Sequence, residues 1–169
     1  MTTLHAQPYN LDAVGFYFES LGDYEARFEN ARDSFGFPVE EFEIQFIDGD
    51  TADAQIFGAA GINQATLSQF FDVIEDMGDY QKPALFFLLE QGYGVDEALD
   101  KIDDVMIQEG NLEEAAEQFF DEIYLHQIPE NLQSYIDYKA FARDCEYSGD
   151  FREFEFAKTT YTCTNVNGI

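Results

Sequence analysis

Residues 39–46 read VEEFEIQF, and the alternation in this stretch decides the fold class. Phe42, Ile44 and Phe46 fall on one side of an extended chain, while Glu41, Glu43 and Gln45 fall on the other, the period-two pattern of a strand with one buried face. Upstream, Val14, Phe16 and Phe18 alternate with Gly15, Tyr17 and Glu19, which predicts another strand. Between the two, Ser20 is placed to cap a helix whose stripe, Leu21, Tyr24, Phe28, Ala31 and Phe35, runs to a stop near Gly36 and Pro38. His5 falls in a start without strong pattern that is expected to be mobile.

Downstream the period turns helical. Leu67, Phe70, Phe71 and Ile74 form one stripe. ALFFLL at 84–89 is apolar all round, so that helix belongs at a centre, with Pro83 in its first turn and Gly92 at its end. Val95, Ala98, Leu99, Ile102 and Val105 form a further stripe. After Asn111, a candidate cap, Leu112, Ala115, Ala116, Phe119, Phe120, Ile123 and Tyr124 keep helical spacing. A helix from Pro129 through Leu132, Tyr135, Ile136, Phe141 and Cys145 is predicted to close at Gly149, and FREFEF followed by YTCTNV reads as a β-hairpin. The expectation is an elongated α+β chain of three small units: 1–61, an N-terminal α+β unit; 62–106, a central helical bundle; and 107–169, helices plus the hairpin.

The charge is lopsided, with 35 Asp and Glu against 8 Lys and Arg and a formal net charge of −27. A composition that is 46% apolar and 17% aromatic nonetheless supplies a core, so the chain is expected to fold while acidic. Acidic residues also run in blocks. From Asp33 to Gln81 there are eleven and no Lys or Arg, among them Glu41, Glu43, Asp48, Asp50, Asp53, Asp72, Glu75, Asp76 and Asp79. From Ile102 to Tyr138 there are ten more, again without a cation, beginning at Asp103 and Asp104. On the helix after Asn111, Glu113, Glu117 and Asp121 recur every four residues beside Glu114 and Glu122, so like charges lie about 5–6 Å apart and each pair costs a few tenths of a kcal/mol. Such unrelieved repulsion suggests presentation to a partner rather than solvation alone. Duplex DNA carries one charge per ~1.7 Å, so 27 net charges would match roughly 46 Å of duplex if spread along the body.

Motifs for chemistry are missing. His5 and His126 belong to no ligand pair. DGDTAD at 48–53 has the look of a calcium loop, but Ala52 stands where a ligand is wanted and Ala59 replaces the closing Glu. GYG at 92–94 is no dinucleotide fingerprint, and no phosphate loop ends in Lys-Ser or Lys-Thr. Carboxylates are too numerous for any two to stand out as acid and base, so the reading is of a protein that is not an enzyme and uses no metal or cofactor. Cys145 and Cys163 are expected to be free thiols in a soluble, cytoplasmic protein without a membrane span.

Residues 128–144, IPENLQSYIDYKAFARD, closely resemble the antirestriction motif of the ArdA family of DNA-mimic antirestriction proteins, and GFYFES, EEFEIQFIDGD, GYGVDEALD and TYTCTNVNG are similar to other parts of that family. The resemblance implies a homodimer that occupies the DNA-binding groove of type I restriction-modification methyltransferases, with no direct nucleic-acid binding. It assigns Tyr135, Asp137, Tyr138, Phe141, Arg143 and Asp144 to the motif and a contact between protomers. Leu132, Ile136 and Ala140 are expected in the core, whereas Tyr135, Tyr138, Phe141 and Arg143 fit either packing or the contact. Two other functions fit the same charge: mimicry aimed at another DNA-binding target, such as a CRISPR effector, nucleoid protein or repressor, and an acidic protein serving solubility or metal buffering.

Overall fold

In the computed structural model, which describes residues 1–169, the chain packs into two compact units, Met1–Lys82 and Pro83–Ile169. Both combine helices with a three-stranded antiparallel sheet, so the fold is α+β. The segment expected to form a central bundle, 62–106, is shared between them. No helix is long and apolar enough to cross a membrane.

The first sheet has the order β2 (Phe16–Phe18), β1 (Thr3–Pro8), β3 (Phe42–Asp48). The start of the chain, expected to be mobile, is thus the central strand, with Leu4 and Ala6 fully buried. On the other face the His5 and Tyr17 rings lie 4.6 Å apart. Phe42 and Ile44 of β3 are buried while Glu43, and Glu41 just before the strand, face solvent, as the alternation predicts; further along, Gln45 and Phe46 are both half-buried and the alternation lapses. Helix α1 (Leu21–Asn30) is capped by Ser20 Oγ, which accepts from Asp23 N–H at 3.2 Å, and it buries Tyr24 among Phe16, Phe18 and Phe28. Burial pushes the Tyr24 phenol up to about 12.

Helix α1 stops five residues before Phe35, the last position of the predicted stripe. Asp33 Oδ1 accepts from the N–H groups of Phe35 and Phe37, both at 2.9 Å, and this side-chain turn replaces another helical turn. Gly36, at φ 86°, completes the reversal. A helix that the sequence reading did not anticipate, α2 (Thr51–Ala59), begins where DGDTAD suggested a cation loop. Asp50 is its N-cap, accepting from Ala52 N–H at 2.7 Å. Phe57 of α2 packs on Phe46 of β3 and on Phe70. Leu67, Phe70, Phe71 and Ile74 are all buried, on α3 (Leu67–Gln69) and the π-turn Phe70–Ile74 that continues it.

The second unit is built on α4 (Lys82–Glu90), whose first residue closes the first unit. Leu85, Phe87 and Leu88 are essentially inaccessible, as an all-apolar helix requires. The Phe86 and Phe87 rings meet Phe156 and Phe154 of the hairpin at 4.9 and 5.2 Å. The hairpin joins β5 (Arg152–Phe156) to β6 (Thr159–Cys163) through Ala157 and Lys158, both at positive φ, the backbone of a tight two-residue turn. An unanticipated strand, β4 (Ile107–Glu109), pairs with β6, completing the order β4-β6-β5. It occupies the chain that leaves α5 (Val95–Lys101).

Helix α6 (Leu112–Ile123) has the predicted Asn111 cap, and Glu114 completes a capping box. Its small residues Ala115 and Ala116 are buried, and Ala116 forms a core with Ala142 and Phe151. The single helix predicted from Pro129 is two: α7 (Glu130–Gln133) and α8 (Tyr138–Ser148). Asp137 causes the division, because its carboxylate accepts from Ala140 N–H at 2.9 Å and starts a new helix. Gly149, at φ 80°, ends α8. Cys145 and Cys163 are free thiols, and burial raises the pKa of both.

Candidate functional site

The densest uncompensated charge in the second unit lies on α6. Asn111 and Glu114 fix its first turn, and Leu112 N–H donates to Glu153 Oε2 at 2.7 Å. With that turn anchored and the alanines buried, Glu113, Glu117 and Glu122 are held in solvent. Gln118 Nε2 donates to Glu122 Oε1 at 3.0 Å, so even the amide on this face serves a carboxylate. Glu113 also borders a cleft of about 420 Å³ lined by Asp137, Lys139, Arg143 and Glu146.

Asp121 differs from its neighbours. It is half-buried and accepts the Tyr138 hydroxyl at 2.6 Å. That hydrogen bond, reinforced by desolvation and by the charges of Asp121 and Glu117, pushes the Tyr138 phenol up to about 12, because ionising it would set two anions against each other. Asp121 thus ties α8 to the acidic helix as well as contributing charge.

In the first unit Glu41, Glu43, Asp48, Asp50, Asp72, Asp76 and Asp79 are exposed, and Glu75 is half-buried. Asp50 is partly committed to its cap, and Glu43 accepts from Gln45 Nε2 at 2.9 Å. Asp53 must be removed from the predicted acidic surface. Its carboxylate lies 2.7 Å from Lys82 Nζ, and each side chain is 7% exposed. The sequence hides this, because Lys82 is 29 positions away; the available signal was a lone cation at the end of a cation-free block, next to the most apolar helix. Since Asp50 caps α2 and Asp53 holds Lys82, neither stands free as a calcium ligand, and no three His, Cys, Asp or Glu side chains are grouped to hold a metal ion. In the second unit Asp103 and Asp104 are exposed.

The motif residues separate into two sets. Phe141 lies among Phe119, Phe120, Tyr124 and Phe151, with the Phe120 ring at 5.1 Å, and Tyr138 stacks edge-on against Phe120. Together with the Asp137 cap, these contacts lie within the protomer. Tyr135 is 82% exposed, and Leu132, expected in the core from its apolar spacing, is instead 49% exposed. Leu132 is solvated because the break before Asp137 leaves α7 only four residues long. Ile136 and Ala140 are half-buried. Arg143 reaches only its neighbour Asp144, at 3.4 Å, with both side chains more than half exposed. Tyr135, Leu132 and Arg143 therefore remain available to another chain.

A sequence model of the family described as antirestriction protein (ArdA) matches residues 39–161, a span that includes both α6 and the motif. No curated protein and no solved structure matches the chain.

Proposed function

We propose, from the premise that this chain belongs to the ArdA antirestriction protein family, that it inhibits a type I restriction-modification enzyme by occupying the groove that enzyme uses to bind DNA. The observation that carries this reading is α6, a helix whose Glu113, Glu117 and Glu122 stand in solvent with no Lys or Arg between Ile102 and Tyr138. A groove that grips DNA presents Lys and Arg to phosphates, and carboxylates held at comparable spacing can take the same partners. The anchored first turn and the buried alanines of α6 hold the carboxylates in place before binding, which reduces the ordering cost of the complex.

On this reading the protein performs no reaction and needs no cofactor, and it binds no nucleic acid, because its net charge of −27 repels phosphates. It acts as a homodimer, for which Tyr135, Leu132 and Arg143 supply the free part of the motif, while Tyr138 and Phe141 shape the surface from beneath. The test is a cleavage assay in which unmodified duplex and a purified type I enzyme are titrated with the protein. Inhibition that saturates near one homodimer per enzyme and is relieved by excess duplex supports the reading. Inhibition indifferent to duplex concentration, or none, overturns it.

A further inference from the structure

Two loops of the first unit hold large apolar side chains out of its core. Leu11 is 99% exposed, Phe35 72% and Phe37 66%. The loops are tied together, because Asn10 Nδ2 donates to Asp33 Oδ2 at 3.3 Å and Ser34 N–H donates to Asp12 O at 2.8 Å. The other oxygen of Asp33 holds the backbone at Phe35 and Phe37. These rings therefore stand on a hydrogen-bonded backbone, and apolar side chains clustered this way mark an interaction surface.

What surrounds them identifies the occupant. Tyr9, 66% exposed and next to Asn10, leads into a groove of about 520 Å³ lined also by Glu40, Glu41, Asn63 and Gln64. Of the nearby cations, Arg27 Nε is paired with Asp23 at 2.8 Å, whereas the exposed Arg32 donates through Nη1 only to the carbonyls of Glu29 and Ala31 and keeps its positive charge. Against that one cation stand the exposed Asp12, Glu40 and Glu41, so the balance of charge beside the apolar patch is negative. A second copy would bring the same carboxylates against these, which disfavours self-association. A basic partner is matched on both counts.

We propose that this face is a second docking surface for the inhibited DNA-binding enzyme, taking an apolar surface bordered by Lys or Arg; the cation enters the groove beside Tyr9, and the apolar part covers Leu11, Phe35 and Phe37. The proposal rests on the mimic reading and adds to it a contact that DNA, whose outer surface is phosphate, does not offer. Screening by salt weakens the carboxylate contacts and leaves the apolar one in place.

The test is displacement of labelled duplex from a purified type I methyltransferase by the full-length protein, over a range of salt. Leu11→Ser/Phe35→Ser/Phe37→Ser should melt like the wild type, because all three side chains are exposed, and should bind about tenfold to a hundredfold more weakly at every salt with an unaltered salt slope. Glu40→Gln/Glu41→Gln should do the reverse, reducing the slope while affinity at high salt persists. Affinity of the triple variant within about twofold of wild type overturns the proposal. So does sedimentation showing that the triple change dissociates an assembly formed by the wild type, since the patch would then join copies of the chain. If the wild type itself displaces no duplex, the mimic reading fails and this proposal falls with it, a result distinct from displacement that ignores the patch.

Discussion

Replacing Asp53 by Asn keeps its shape and leaves the Lys82 ammonium buried without a counter-charge. Both side chains are 7% exposed and the pair is 2.7 Å apart, so solvent does little to screen the interaction or to hydrate the survivor. Removing one partner of such a pair costs about 3–5 kcal/mol, much of it the isolated charge rather than the lost attraction. Urea unfolding followed by far-ultraviolet circular dichroism should show that loss as a lower midpoint at unchanged slope. Replacing both groups, Asp53→Leu with Lys82→Met, removes the unpaired charge and should be neutral or stabilising, by up to about 4 kcal/mol. Because the pair is away from the surface, the double variant should inhibit as the wild type does. A loss below about 1 kcal/mol in Asp53→Asn, or a double variant as unstable as the single one, would refute the reasoning.

Asn111→Ala removes the side-chain half of the α6 capping box and should lower stability by about 1 kcal/mol in the same unfolding assay. Ala157→Gly relieves a non-glycine residue at φ 50° and should stabilise the hairpin by about 1 kcal/mol, read as a higher thermal midpoint. Tyr24 and Tyr138 titrate near 12 in the folded protein against 10.0 ordinarily, so their protonated forms are favoured by folding. The unfolded chain loses those protons first as pH rises, so this part of the stability is complete below pH 10.0 and lost as pH climbs toward about 12. Tyr138→Phe should delete one late step from the ultraviolet phenolate titration.

Where local chemistry and packing agree, the sequence is a sufficient guide. Strand β3 alternates through Ile44, residues 84–89 of α4 are apolar on every side, and the Ser20 and Asn111 caps start helices where their side chains predict. Strand β1 escaped because only Leu4 and Ala6 mark its buried face and TLHAQP has little strand propensity; neighbours on both sides hold it. The end of α1 and the break between α7 and α8 share one cause. Apolar spacing continued the helix, but Asp33 and Asp137 offered the backbone a side-chain acceptor and a turn formed instead. At the candidate site the acidic face of α6 was legible because helix periodicity places every fourth residue together. The role of Asp53 was not, because charge counting treats all carboxylates alike and only the tertiary fold brings Lys82 to it.

On the proposed function, carboxylates on this chain take the place of phosphates. Its most direct test is a competition titration in which purified type I methyltransferase is held on labelled duplex containing its recognition site while the protein is added. Full displacement with a competitive dependence on duplex concentration is expected, weakened by raised salt and by Glu117→Lys/Glu122→Lys, a variant that should melt within about 0.5 kcal/mol of wild type because both side chains are exposed and the change relieves repulsion along α6. Duplex that stays bound at saturating protein, at low as well as high salt, would contradict it.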